Sequence, residues 1–78
     1  MPLSVVIVGI THWHAPRYMQ MLAARGARLV GASDADAIAG AAVAEQAGIL
    51  FISDTDQLIQ KTRPDFAIVL PRHDRATL

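Results

Sequence analysis

The sequence predicts an α/β fold of the Rossmann type, a parallel sheet built in the order β-α-β-α-β-α-β, and three observations carry that expectation. Four short apolar runs, rich in Val, Ile and Leu and without polar alternation, read as strands covered on both faces. Three helically spaced segments alternate with them, each with its own start and stop signals. The first strand runs directly into a glycine turn and a helix start at Gly9 to Pro16. Crossovers between parallel strands are right-handed, a doubly wound sheet is the economical topology, and its usual strand order is 3-2-1-4.

The strands are expected at residues 3–10, 27–32, 49–52 and 66–70. The first helix begins at Pro16, pre-set for a first helical position, spaces Tyr18, Met21, Leu22 and Arg25 helically, and stops at Gly26. The second starts from Asp34 or Asp36, runs through Ile38, Ala41, Ala42, Val43 and Ala44, and stops at Gly48; its alanines suggest close packing on the sheet. The third starts from Ser53, Asp54 or Thr55, buries Leu58 and Ile59, and ends before Pro64, whose ring pushes the preceding residue out of helical geometry.

Composition narrows the partners. Seven basic residues balance seven acidic ones without a run of like charge, so a nucleic-acid or anionic-membrane surface is disfavoured and a small molecule is expected. Cysteine is absent, and no apolar stretch approaches the roughly 20 residues of a membrane span. The N-terminus lacks a basic n-region, so a cytoplasmic location is the expectation. At 78 residues the chain is one small domain, near the lower limit for stability without staples.

The candidate site begins at the turn. A helix N-terminus carries unpartnered amides and the positive end of the dipole, which suits a phosphate, and Gly9 permits the turn that aims it. A G-x-G-x-x-G motif would place glycine at 9, 11 and 14; only Gly9 matches, while Thr11 and His14 stand at the other two positions. Thr11 could offer its hydroxyl, and His12 or His14 an imidazole N–H, to a phosphate oxygen or to the helix end. Asp34 lies 25 positions beyond Gly9, close to the offset of about 20 at which a carboxylate accepts from the ribose hydroxyls. It would repel a 2′-phosphate, which favours NAD over NADP. Its structural alternative is to cap the second helix. Trp13 could stack on a cofactor ring, or close the core, as a tryptophan at a strand-helix junction more often does.

Together these residues resemble the N-terminal domain of the Gfo/Idh/MocA oxidoreductases, the glucose-fructose oxidoreductase and inositol dehydrogenase group. Gly9 matches the family's glycine turn and Asp34 the acidic end of its second strand. Thr55-Asp56-Gln57-Leu58-Ile59 matches the opening of its third helix, and Pro64-Asp65 the approach to its fourth strand. The segment Phe66 to Pro71 looks like the strand that ends in a proline turn beside the nicotinamide ribose, which implies cofactor contacts at Leu70 and Pro71. The family's histidine four residues after that proline is Arg75 here; His73, offset from it, is the nearby histidine.

The resemblance implies an NAD(P)-dependent hydride transfer on a sugar, polyol or related alcohol carbon, in a homo-oligomeric parent. It also implies a catalytic lysine in a Glu-Lys-Pro motif beyond the fourth strand and a C-terminal substrate domain. The single lysine, Lys61, suits a helix C-terminus instead. In the order 3-2-1-4 the fourth strand is a bare edge without charge or proline, and residues 74–78 look like a helix barely begun. Residues 1–78 are therefore expected to be a partial dinucleotide-binding domain, inactive alone.

Two other readings stay open. His12-Trp13-His14 on a strand end would present two imidazoles to one side, as in metal-dependent hydrolases. The chain could also serve as a non-catalytic nucleotide-binding module.

Overall fold

A computed structural model describes residues 3–70. Four strands and three helices alternate: β1 (Ser4–Val8), α1 (Ala15–Ala24), β2 (Arg28–Ser33), α2 (Ala37–Ala47), β3 (Leu50–Phe51), α3 (Thr55–Thr62) and β4 (Phe66–Val69). The sheet has the order β3-β2-β1-β4 and every pairing is parallel, as the sequence predicts. Strand ends are shorter than the apolar runs; residues 9 and 10 leave the first strand for the turn, and the third strand keeps only two residues. The strand-order rule and the helix signals therefore carried more information than the length of each apolar run.

Both faces of the sheet are used. Val5, Ile7, Ile10, Leu22, Ala32 and Ala44 form one core, flanked by Tyr18, Met19, Val43 and Phe51. Val6 and Gly31 are register partners on the opposite face. There Leu58 of α3 comes so close that a methyl on Gly31 would stand 2.8 Å from its Cδ1. Along β1 and β2, Val5 pairs with Leu29 and Val6 with Gly31, so Val30 is an extra residue on β2 and the register shifts there.

The helix signals resolve as follows. Ala15, Tyr18, Met19 and Leu22 form the inward stripe of α1, at i, i+3, i+4 and i+7; Met21 and Arg25, expected on it, lie exposed. Gly26 takes a left-handed φ of 75°, and the bonds Gly26 N–H to Ala23 O and Ala27 N–H to Leu22 O close the helix. In α2 the buried face is Gly40, Val43 and Ala44, whereas Ile38 points to solvent. Gly40 permits the close approach the alanines suggested: a methyl there would meet Phe51 at 2.6 Å and the Asp34 Cβ at 2.8 Å. Leu58 is fully buried on α3 while Ile59 is exposed. Arg63 does leave helical geometry before Pro64, but into the left-handed region at φ 46° rather than an extended one.

At the N-terminal ends of the central strands, Asp65 ties β4 to β1. Its Oδ2 accepts from the Ser4 amide at 2.8 Å, and its own amide donates to the Ser4 carbonyl at 2.8 Å. At the opposite ends Leu70 N–H donates to the Val8 carbonyl at 2.8 Å, which brings the exit of β4 against the glycine turn.

Candidate functional site

The candidate site lies at the carboxyl ends of β1 and β2, where open α/β sheets bind their ligands. Gly9 sits there at φ 93°, a conformation that side chains disfavour, and a methyl on it would stand 2.6 Å from the Leu70 carbonyl oxygen. Glycine is thus required twice, for the turn and for the passage of β4 behind it. The Gly9 amide donates to the Ser33 carbonyl at 2.8 Å, so the turn leaves β1 still attached to β2. Fully buried Ser33 in turn shares a hydrogen bond of 3.1 Å with the Thr55 hydroxyl at the start of α3.

Asp34 binds the same turn from the neighbouring strand. Its Oδ2 accepts from the Thr11 amide at 2.8 Å and from the Thr11 hydroxyl at 2.7 Å, while its Oδ1 accepts from the Asp36 amide at 2.8 Å. The carboxylate is buried. Capping of α2 falls to Asp36, whose Oδ1 accepts from the Ala39 amide at 3.0 Å, and Asp54 caps α3 through the Gln57 amide at 3.0 Å. Among the acidic candidates for helix starts, only Asp34 therefore serves the turn rather than a cap. Sequence reasoning does not reach this link between Thr11 and Asp34, since from the sequence the Thr11 hydroxyl is a donor only to a phosphate or to the helix end. The signal available was a hydroxyl at the second motif glycine with an acidic residue ending the next strand.

The entrance to α1 is largely self-satisfied. Ala15 N–H donates to the His12 carbonyl at 2.9 Å, Arg17 N–H to the His14 carbonyl at 3.1 Å, and Pro16 has no N–H. His12 is buried, its amide donating to the Gly9 carbonyl at 2.9 Å and its Nδ1 accepting from the His14 amide at 3.0 Å. A neutral His12 ring with Nδ1 as acceptor carries its proton on Nε2. No side chain caps α1, which leaves the positive end of its dipole facing the turn.

Trp13 does not close the core. It is 62% exposed and lies against His14, ring centroids 3.6 Å apart, with the His12 ring 6.0 Å away and nearly parallel. The buried residues at this junction are Ile10 and Ala15. His12 and His14 lie on a turn, not on a strand, with ring centroids 5.2 Å apart. Among the described residues no cluster of three or more His, Cys, Asp or Glu could hold a metal ion. Leu70 is half-buried behind Gly9; Pro71 and His73 lie outside the described residues.

The glycine turn and the acidic strand end are thus adjacent, parallel and directly bonded. Residues 3–75 match the model of the oxidoreductase family GFO_IDH_MocA, described as an NAD-binding Rossmann fold. The chain belongs to this family. It is an NAD-binding Rossmann domain of an oxidoreductase, and its ligand is accordingly a dinucleotide. No curated protein and no solved structure matches the chain. None of the helices among the described residues is long and apolar enough to cross a membrane.

Proposed function

We propose that the domain holds NAD, in preference to NADP, across the ends of β1 and β2, for hydride transfer on a sugar, polyol or related alcohol. The diphosphate lies at the start of α1, beside the Gly9 turn, where the uncapped dipole end favours an anion. Asp34 accepts from the adenosine ribose, and its charge disfavours a 2′-phosphate. Bound there, the cofactor supplies the hydride chemistry, and this chain supplies binding and orientation. Trp13, Thr11 and His12 border the same turn. On the strength of the family resemblance, Leu70, Pro71 and His73 are assigned to the cofactor site.

The substrate class comes from that resemblance, as do the catalytic lysine, a C-terminal substrate domain and a homo-oligomeric parent. The absence of cysteine accords with a cytoplasmic protein. A metal-dependent hydrolase is not favoured by a site whose two histidines stand on a turn and whose His12 Nδ1 is engaged by the His14 amide.

The observation that carries the reading is the direct contact of Asp34 with the turn that follows Gly9. Because Asp34→Ala would strip three donors of their acceptor, the sharper variant is Asp34→Asn, which removes the charge and keeps one acceptor oxygen. Calorimetry should show NAD affinity falling about tenfold in Asp34→Asn, as expected for loss of a charge-assisted hydrogen bond. Equal affinity in the two proteins would remove Asp34 from the site.

A further inference from the structure

We infer that Thr11 is a specificity-determining residue, which sets the choice between NAD and NADP by fixing the Asp34 carboxylate in place. The inference rests on the proposed dinucleotide site and goes beyond it, since Thr11 acts through Asp34. Two donors of one residue converge on a single oxygen: the Thr11 amide at 2.8 Å and the Thr11 hydroxyl at 2.7 Å, both on Oδ2. The Asp36 amide holds the other oxygen at 2.8 Å. Three donors from two loops therefore fix both the position and the plane of the carboxylate.

A fixed carboxylate discriminates more sharply than a mobile one. A mobile carboxylate can swing towards solvent when a 2′-phosphate arrives and so relieve the repulsion between the two anions. Asp34 is buried, Gly40 of α2 packs over its Cβ, and the Thr11 pair holds it from the side of the turn. Its freedom to yield is small. The same arrangement fixes the carboxylate before the cofactor binds, which lowers the ordering cost of binding.

The side chain at position 11 also accounts for a departure from the glycine motif. Glycine there would let the backbone approach a phosphate more closely, but it could supply only the amide to Asp34. Threonine gives up some of that closeness for a second bond to the discriminating group.

The test compares Thr11→Val and Thr11→Ser with the unaltered full chain, measuring NAD and NADP affinities by titration of Trp13 fluorescence. Valine preserves shape and the amide bond but lacks the hydroxyl. Loss of one hydrogen bond to a charged group should weaken NAD by roughly five- to tenfold. NADP should stay unchanged or gain, so that the NAD:NADP ratio falls, and Thr11→Ser should restore it. A merely structural role would weaken both cofactors equally and leave the ratio alone, which would overturn the inference, as would an unchanged ratio at unchanged affinities. Binding of neither cofactor by the unaltered chain would instead overturn the underlying site.

Hydrogen exchange of the unaltered protein needs no variant. The Thr11 and Asp36 amides should remain protected when NAD binds. Deprotection of the Thr11 amide on binding would mean that Asp34 releases the turn to grip the sugar, and the inference would fail.

Discussion

The strands β1 and β4 are neighbours in register and nearly alike in composition, yet their environments are opposite. Val5, Val6 and Ile7 of β1 are at most 2% exposed, whereas Phe66 and Val69 of β4 are 58% and 70% exposed. Both strands read as the same kind of apolar run. The difference lies in their neighbours: β1 stands between β2 and β4, with its Val5 and Ile7 in one core with Leu22 of α1, while β4 is the edge strand among the described elements and reaches that core only through Ile68. Beside β4, Leu3, Val5, Leu22, Phe66 and Ile68 line an apolar groove of about 420 Å³. Burial is therefore set by what surrounds a strand, and hydrophobic content alone does not reveal it.

If that account is right, equivalent truncations in the two strands will differ several-fold. Ile7→Ala, which opens a cavity under β1, should cost about 3–4 kcal/mol in urea-induced unfolding. A loss below about 1 kcal/mol would mean that β1 is not the centre of the core. Next in size is Gly9→Ala, which meets both a left-handed φ and the Leu70 carbonyl at 2.6 Å. Its expected cost is at least about 2 kcal/mol, and an unchanged melting temperature would show that β4 does not pass so close to the turn.

Asp54→Ala removes the cap that starts α3 and should cost about 1 kcal/mol. Because α3 packs Leu58 against Gly31 of β2, this loss measures how far the second face of the sheet contributes to stability. The smallest effect belongs to β4: Val69→Ala should stay within about 0.5 kcal/mol. A loss comparable to that of Ile7→Ala would remove the contrast between the two strands.

Much of this architecture was legible because the signals were local and redundant. Gly26 and Gly48 take the left-handed stops that their positions imply, and the strand order is the usual one of a doubly wound sheet. Pro16 lies in the first turn of α1 as expected, one residue after the helix begins. Less legible were choices among equivalent groups. Asp34 and Asp36 are both good caps in isolation; which of them caps depends on Thr11, whose two donors claim Asp34 from another strand's turn. The inward stripe of α1 runs through Met19 and not Met21; both fit helical spacing with Tyr18 and Leu22, and packing against the sheet core selects Met19. Trp13 can be placed from the sequence by preference only; it lies exposed, and the buried residues at the junction are Ile10 and Ala15. Arg63 carries no signal for a left-handed residue; it is the single residue between Thr62, the last of α3, and Pro64.

Trp13 is the sole tryptophan and lies exposed on the turn that leads from Gly9 into α1. Titrating the full chain with NAD while following its fluorescence is therefore the most direct test of a dinucleotide site at the ends of β1 and β2. A saturable change that free phosphate does not reproduce is the expected result. A flat titration, at NAD concentrations that also leave the melting temperature unmoved, would contradict it.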